Sequence, residues 1–117
     1  MSFSYPGPCF VPPASIGGGL YTGPDAMPMG ARLQLDPNLD LNTLGLSPAA
    51  RIIARALQEY GMIVVDQGAS NPGLYAESFY GKPNNPWAGV LTERDLLNIP
   101  TNRFRVLKLG PQNCTPY

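Results

Sequence analysis

The chain has 117 residues, 44% hydrophobic and only 14% charged, with eight basic side chains balancing eight acidic ones and no histidine. That length supports one domain around one core. The even charge excludes the basic face that nucleic acid or an acidic membrane surface requires. The missing histidine excludes Ser-His and Cys-His catalysis and leaves no expectation of a metal or cofactor.

Fourteen prolines and thirteen glycines concentrate before Gly30 and between Pro72 and Gly89, which predicts long loops there. In the Pro/Gly-rich segment 1–30, Ser2–Tyr5 and Phe10-Val11 read as short strands. Pro6, Pro8, Pro12 and Pro13 confine them to sheet edges, because proline cannot donate to a ladder. Gly17–Gly19 reads as a flexible loop, and with no Lys-Ser or Lys-Thr behind it the triplet is not a phosphate cradle. Residues 1–13 lack the basic start and apolar core of a signal peptide, so any export signal must be cleaved already or lie outside this sequence. No run approaches the ~18 apolar residues of a spanning helix, so membrane insertion is not expected.

Ala31–Leu35 alternates, with Leu33 and Leu35 on one face and Arg32 and Gln34 on the other, as a half-buried strand does. Asp36-Pro37-Asn38 ends it in a turn. Leu39, Leu41, Leu44 and Leu46 then suggest an extended segment leading into a helix. Ser47 is a good N-cap, Pro48 suits the first helical position, and Gly61 suits the left-handed stop. Between them lies one amphipathic helix, about 47–60. Ile52, Ile53, Ala56, Leu57 and Tyr60 are expected inside, and Arg51, Arg55, Gln58 and Glu59 in water. Met62–Val65 reads as a strand covered on both faces. Leu74–Phe79 is a weaker strand candidate. Thr92 with Asp95 reads as a capping box opening a short helix, and Arg103–Leu109 as a last strand with Phe104 and Val106 inward.

The blocks ARLQLDPNLDL, LSPAARIIARALQEYGMIVVDQG, NPWAGVL and FRVLKLG resemble the C-terminal part of a group of predicted secreted bacterial proteins of unknown function. That resemblance covers about Ser2 to Gly110, its specific part being Arg32 to Gly68. It implies a mainly β chain (α+β by content), an antiparallel β-sandwich of jelly-roll type carrying the single helix, and export from the cell. It implies no activity. Those relatives carry further strands upstream, whereas this chain opens at FSYPGP, which resembles one of their interior strands. On that resemblance residues 1–117 are one domain, either a trimmed relative or the C-terminal part of a larger sandwich. A homo-oligomer, or a separate N-terminal half, is the expected partner.

Candidate chemistry is sparse. Asp66 emerges at the end of a strand, where a carboxylate can serve a site or accept from the amides of the Gln67–Asn71 turn. Glu77 could join it as the carboxylate pair of a glycoside hydrolase or lyase, although a solvent-facing glutamate on a strand is the commoner role. Trp87, the sole tryptophan, lies beside Asn84 and Asn85 and near Tyr80. It can be a sugar platform, or a plug anchoring its proline-rich loop to the core, which is the role its size favours. Cys9 and Cys114 lie near opposite ends, and the low charge and loop-rich composition favour a disulfide over two free thiols. The expected function is that of a secreted β-rich domain acting through its surface or within an extracellular assembly, with carbohydrate as ligand. The alternative is a carbohydrate-active enzyme using Asp66 and Glu77.

Overall fold

The computed structural model describes residues 2–3, 6–68 and 72–114. In chain order these form β1 (Ser2–Phe3), β2 (Pro6–Phe10), β3 (Met27–Met29), β4 (Arg32–Leu35), α1 (Pro48–Glu59), β5 (Met62–Ile63), β6 (Asp66–Gln67) and β7 (Phe104–Val106). Ser4 and Tyr5 of the first expected strand and Asn71 of the expected Asp66 turn lie outside the described residues.

The segment from Met27 to Leu35 is the spine. Its first part, β3, pairs in parallel with β2, and its last part, β4, is the centre of an antiparallel sheet ordered β5-β4-β7. Gly30 turns the chain between the two at φ +85°, a region that side-chain-bearing residues avoid. A Cβ there would also lie 1.9 Å from the Val11 carbonyl oxygen. Val64 closes the bend, its carbonyl accepting from Gly30 and its amide donating to Ala31. The antiparallel pairing expected from sequence thus holds for one sheet. The other two pairs, β1 with β6 and β2 with β3, are parallel, because each joins segments separated by long crossovers.

The proline-rich start is more ordered than its composition suggests. Gly17–Gly19 is packed rather than free. The amide of Gly19 donates to the Gly7 carbonyl and that of Tyr21 to the Pro6 carbonyl, so this stretch runs against β2. A Cβ at Gly19 would meet the Pro6 oxygen at 1.9 Å, and one at Gly17 the Pro8 oxygen at 1.8 Å. The glycines therefore serve close backbone approach. At the far end, Phe10 and Asn113 exchange both backbone hydrogen bonds, and Cys9 is disulfide-bonded to Cys114 with Cα atoms 4.1 Å apart.

Helix α1 forms where the caps predict. The Ser47 hydroxyl accepts from the Ala50 amide, and Gly61 follows at φ +73°. Its buried face, however, is rotated from the expected one. Ala50, Ala54, Leu57 and Gln58 are buried, Ile53 is half-buried, and Ile52, Ala56 and Tyr60 are exposed. At ~100° per residue this is roughly a quarter turn from the bulkiest stripe. Two alanines let the helix approach β4 closely, and the buried Gln58 is satisfied by donating its side-chain amide to the carbonyls of Asp36 (3.0 Å) and Leu39 (2.9 Å). The last helical carbonyls are met from β4: Gln34 donates to Gln58 O (2.6 Å) and Arg32 to Tyr60 O (2.9 Å). Outward-facing strand residues thus complete the helix C-terminus.

Two apolar clusters result. Met29, Ala31, Leu33 and Val64 form one; Leu35, Leu46, Ala50, Ala54, Leu57 and Ile99 form the other. Half-buried Met62 and Phe104 pack against both. Several elements are shorter than the sequence pattern implies. Of Met62–Val65 only Val64 is buried, Met62 and Ile63 being half-buried and Val65 exposed, and Val106 is exposed at the end of β7. The leucine-rich lead-in contains a 3-10 turn at Leu41–Thr43 rather than an extended run. Leu74–Phe79 forms no strand. Thr92 and Asp95 do pair, with the Thr92 hydroxyl donating to the carboxylate (2.9 Å), but they close a series of turns, not a helix.

The turn at Asp36 ties the sheet to the core. One carboxylate oxygen accepts from the Asn38 amide (2.8 Å) and the other pairs with Arg103 (2.5 Å). The Arg103 hydrogen bond, then the Asn38 amide, hold the Asp36 carboxyl below its ordinary 3.8. A depressed folded value means stability that is fully present above the unfolded pKa and lost as pH falls through the folded one. Melting temperature measured down a pH series is therefore expected to decline below 3.8, and Asp36→Asn to flatten part of that decline. An unchanged acid limb in the variant would show that Asp36 carries none of it.

Candidate functional site

The residues singled out by sequence fall in the segment between β6 and the Thr92 turns. Asp66 opens β6, and its carboxylate is exposed but committed: one oxygen accepts from the Tyr75 hydroxyl (2.6 Å) and the other from the Gln67 amide (2.8 Å). Those two bonds, the tyrosine first, hold its carboxyl below the ordinary 3.8. It is therefore ionised near neutrality and is suited to accepting hydrogen bonds, not to donating a proton. Glu77 is exposed and answers to a different partner, Lys82, at 3.9 Å. Among the described residues no group of three histidine, cysteine, aspartate or glutamate side chains could hold a metal ion.

Trp87 neither joins the two clusters nor hangs free. Its indole N–H donates to the Glu77 carbonyl (3.0 Å), its amide donates to the Asn85 side chain (3.0 Å), and its ring meets Phe79 edge-on at 6.4 Å. Lys82 sits 5.2 Å from the centre of the Phe79 ring, a cation–π contact. A turn from Phe79 to Lys82 and another from Asn85 to Ala88 complete a small self-supporting loop. Trp87 nevertheless remains 37% exposed and Tyr80 98% exposed. Leu74, Tyr75 and Val90 add further exposed apolar surface in the same segment. The structure thus brings Trp87, Asn85 and Glu77 together through Phe79 and Lys82. Tyr80 and Asn84 are left open to solvent, and Asp66 with Tyr75 forms a separate pair.

A second feature escaped the sequence reading. An open groove of about 640 Å³ runs along the outer side of α1, between Ile52, Ala56 and Tyr60 and the loop bearing Pro37, Leu39 and Leu41. Its polar margin includes Asp40, Arg51, Arg55 and Glu59. Arg55 pairs with Glu59 at 2.7 Å, and Arg51 is bonded to Asn42. None of the catalytic or ligand-binding candidates read from sequence lines it. The available signal was the Ile52–Ala56–Tyr60 column at spacing four, which reads equally well as core. Comparison with known protein families, curated proteins and solved structures finds no match to this chain.

Proposed function

We propose that the chain is a secreted binding module whose ligand is carbohydrate, recognised at the Trp87 loop. The observation that supports this best is the indole itself, half-exposed yet locked by the Glu77 carbonyl and the Phe79 edge. A rigid aromatic plane lowers the ordering cost of binding, and loops on a fixed scaffold are where recognition concentrates. A sugar ring would stack on Trp87 or Tyr80 and direct its hydroxyls to Asn84 and Asn85. The disulfide fits an oxidising compartment, and no helix among the described residues is long and apolar enough to cross a membrane. In the same reading the three small sheets are one part of a jelly-roll-like sandwich within a larger extracellular assembly.

The enzymatic alternative draws less support. Acid-base hydrolysis needs one carboxyl that keeps its proton near neutrality by burial. Asp66 is shifted the other way, and Glu77 is exposed beside a lysine.

Because Trp87 is the only tryptophan, its fluorescence reports the site directly. Titration with a panel of oligosaccharides is expected to quench or shift that emission for at least one member. Trp87→Ala is expected to weaken binding of the same sugar, measured calorimetrically, by at least about tenfold without moving the melting temperature. A variant that binds like the parent would sink the assignment.

A further inference from the structure

Helix α1 presents two apolar columns. Ala50, Ala54 and Leu57 are consumed by the core. Ile52, Ala56 and Tyr60 face the groove, with Ile52 71% and Tyr60 68% exposed. A helix carrying a second apolar column about a third of a turn from its buried one expects cover on both. The charges beside the exposed column are ordered along the axis, Arg51 and Arg55 toward the helix start and Glu59 at its end. With Asp40 on the facing loop they balance, which disfavours a strongly anionic or cationic ligand, and both arginines already have partners in Asn42 and Glu59. What that order matches is its own reverse.

We propose that the groove along α1 is the interface of a symmetric dimer, occupied by the α1 helix of a second copy running antiparallel. With the two-fold axis at Ala56, Ile52 lies level with the partner's Tyr60. The small side chain at the centre admits close approach of the two helices. Two-fold symmetry then sets the Arg51-Arg55-Glu59 flanks side by side, and each Glu59 falls between the levels of the partner's Arg51 and the partner's Arg55. The isologous contact closes on itself and leaves the Trp87 loop outside the pairing. The inference is independent of what that loop binds.

Sedimentation equilibrium of the full chain from ~1 to ~500 µM tests it, since mass action makes a dimer concentration-dependent. The expected species is twice the 12.6 kDa chain mass. Ile52 is solvent-exposed in the single chain, so Ile52→Glu should fold normally by circular dichroism while raising the dimer dissociation constant at least about tenfold. Arg55→Glu, which sets acids against acids across the axis, should do the same. The full inversion Arg51→Glu/Arg55→Glu/Glu59→Arg should restore association, because the inverted order is again self-complementary. A chain that stays monomeric throughout overturns the proposal. So does a dimer that tolerates both single substitutions, because it would be using another surface.

Discussion

Replacing Cys9 and Cys114 together by serine is expected to cost the fold about 2–5 kcal/mol, the usual range for a native disulfide in a small domain. The bridge spans 105 residues, so it restricts nearly the whole unfolded chain. In the chain-entropy view a loop of that size contributes close to ~4.7 kcal/mol. The consequence reaches beyond the two sulfurs, because the Phe10–Asn113 pair beside them is a single exchange of hydrogen bonds with no longer ladder behind it. Half-buried Phe10 and Leu109 pack on the Met29-Leu33 cluster, and holding the last segment against β2 is what sets them there together. For a domain whose total stability is ~5–15 kcal/mol, losing such a link should lower the melting temperature by more than about 10 °C. Calorimetry of the double variant beside the oxidised parent reads the effect, and equal melting temperatures would mean the tail contributes nothing.

Leu35→Ala is expected to have a comparable effect, ~2–5 kcal/mol. Leu35 is fully buried on the central strand of the only three-stranded sheet among the described residues. It belongs to the same cluster as Ala50 and Ala54, two positions too small to move in and refill the space. At Leu35 the strand is paired with Phe104 of β7, and β5 holds it two residues earlier at Leu33, so the backbone has little freedom to collapse. Urea unfolding with the slope unchanged and the midpoint lowered is the expected signature. A loss below ~1 kcal/mol would show that the site relaxes, and that the cluster is packed less tightly than its burial indicates.

The legible parts of this sequence were the local ones. Ser47, Pro48 and Gly61 act within a turn of where they stand, so the helix and its ends could be placed from chemistry alone. The alternation of Ala31–Leu35 was equally readable, because a strand with one buried face carries its orientation in its own residues. The buried face of α1 was not legible. Ile52 and Tyr60 outweigh Ala50 and Ala54 in any apolar pattern, yet the alanines are what close packing against β4 selects. Gln58 looked like a surface residue because its partners, the carbonyls of Asp36 and Leu39, come from a turn some twenty residues earlier. The parallel pairing of β1 with β6 joins segments more than sixty residues apart and left no trace in either. For the site, the exposure of Tyr80 was foreseeable from its loop. The locking of Trp87 by a backbone carbonyl ten residues away was not.

The side-by-side placement of Cys9 and Cys114 has a mechanical consequence. Tension entering the chain before Cys9 and leaving after Cys114 crosses directly between the two sulfurs. It can peel β1 from β6 and Pro6–Gly7 from Met27, Gly19 and Tyr21, but it cannot extend the chain between the cysteines. The helix, the three-stranded sheet and the Trp87 loop are all enclosed within that covalent circuit. Tethered at both ends and pulled, the module would keep its fold and its loop geometry until a covalent bond failed, whereas the reduced chain would unravel from its termini inward.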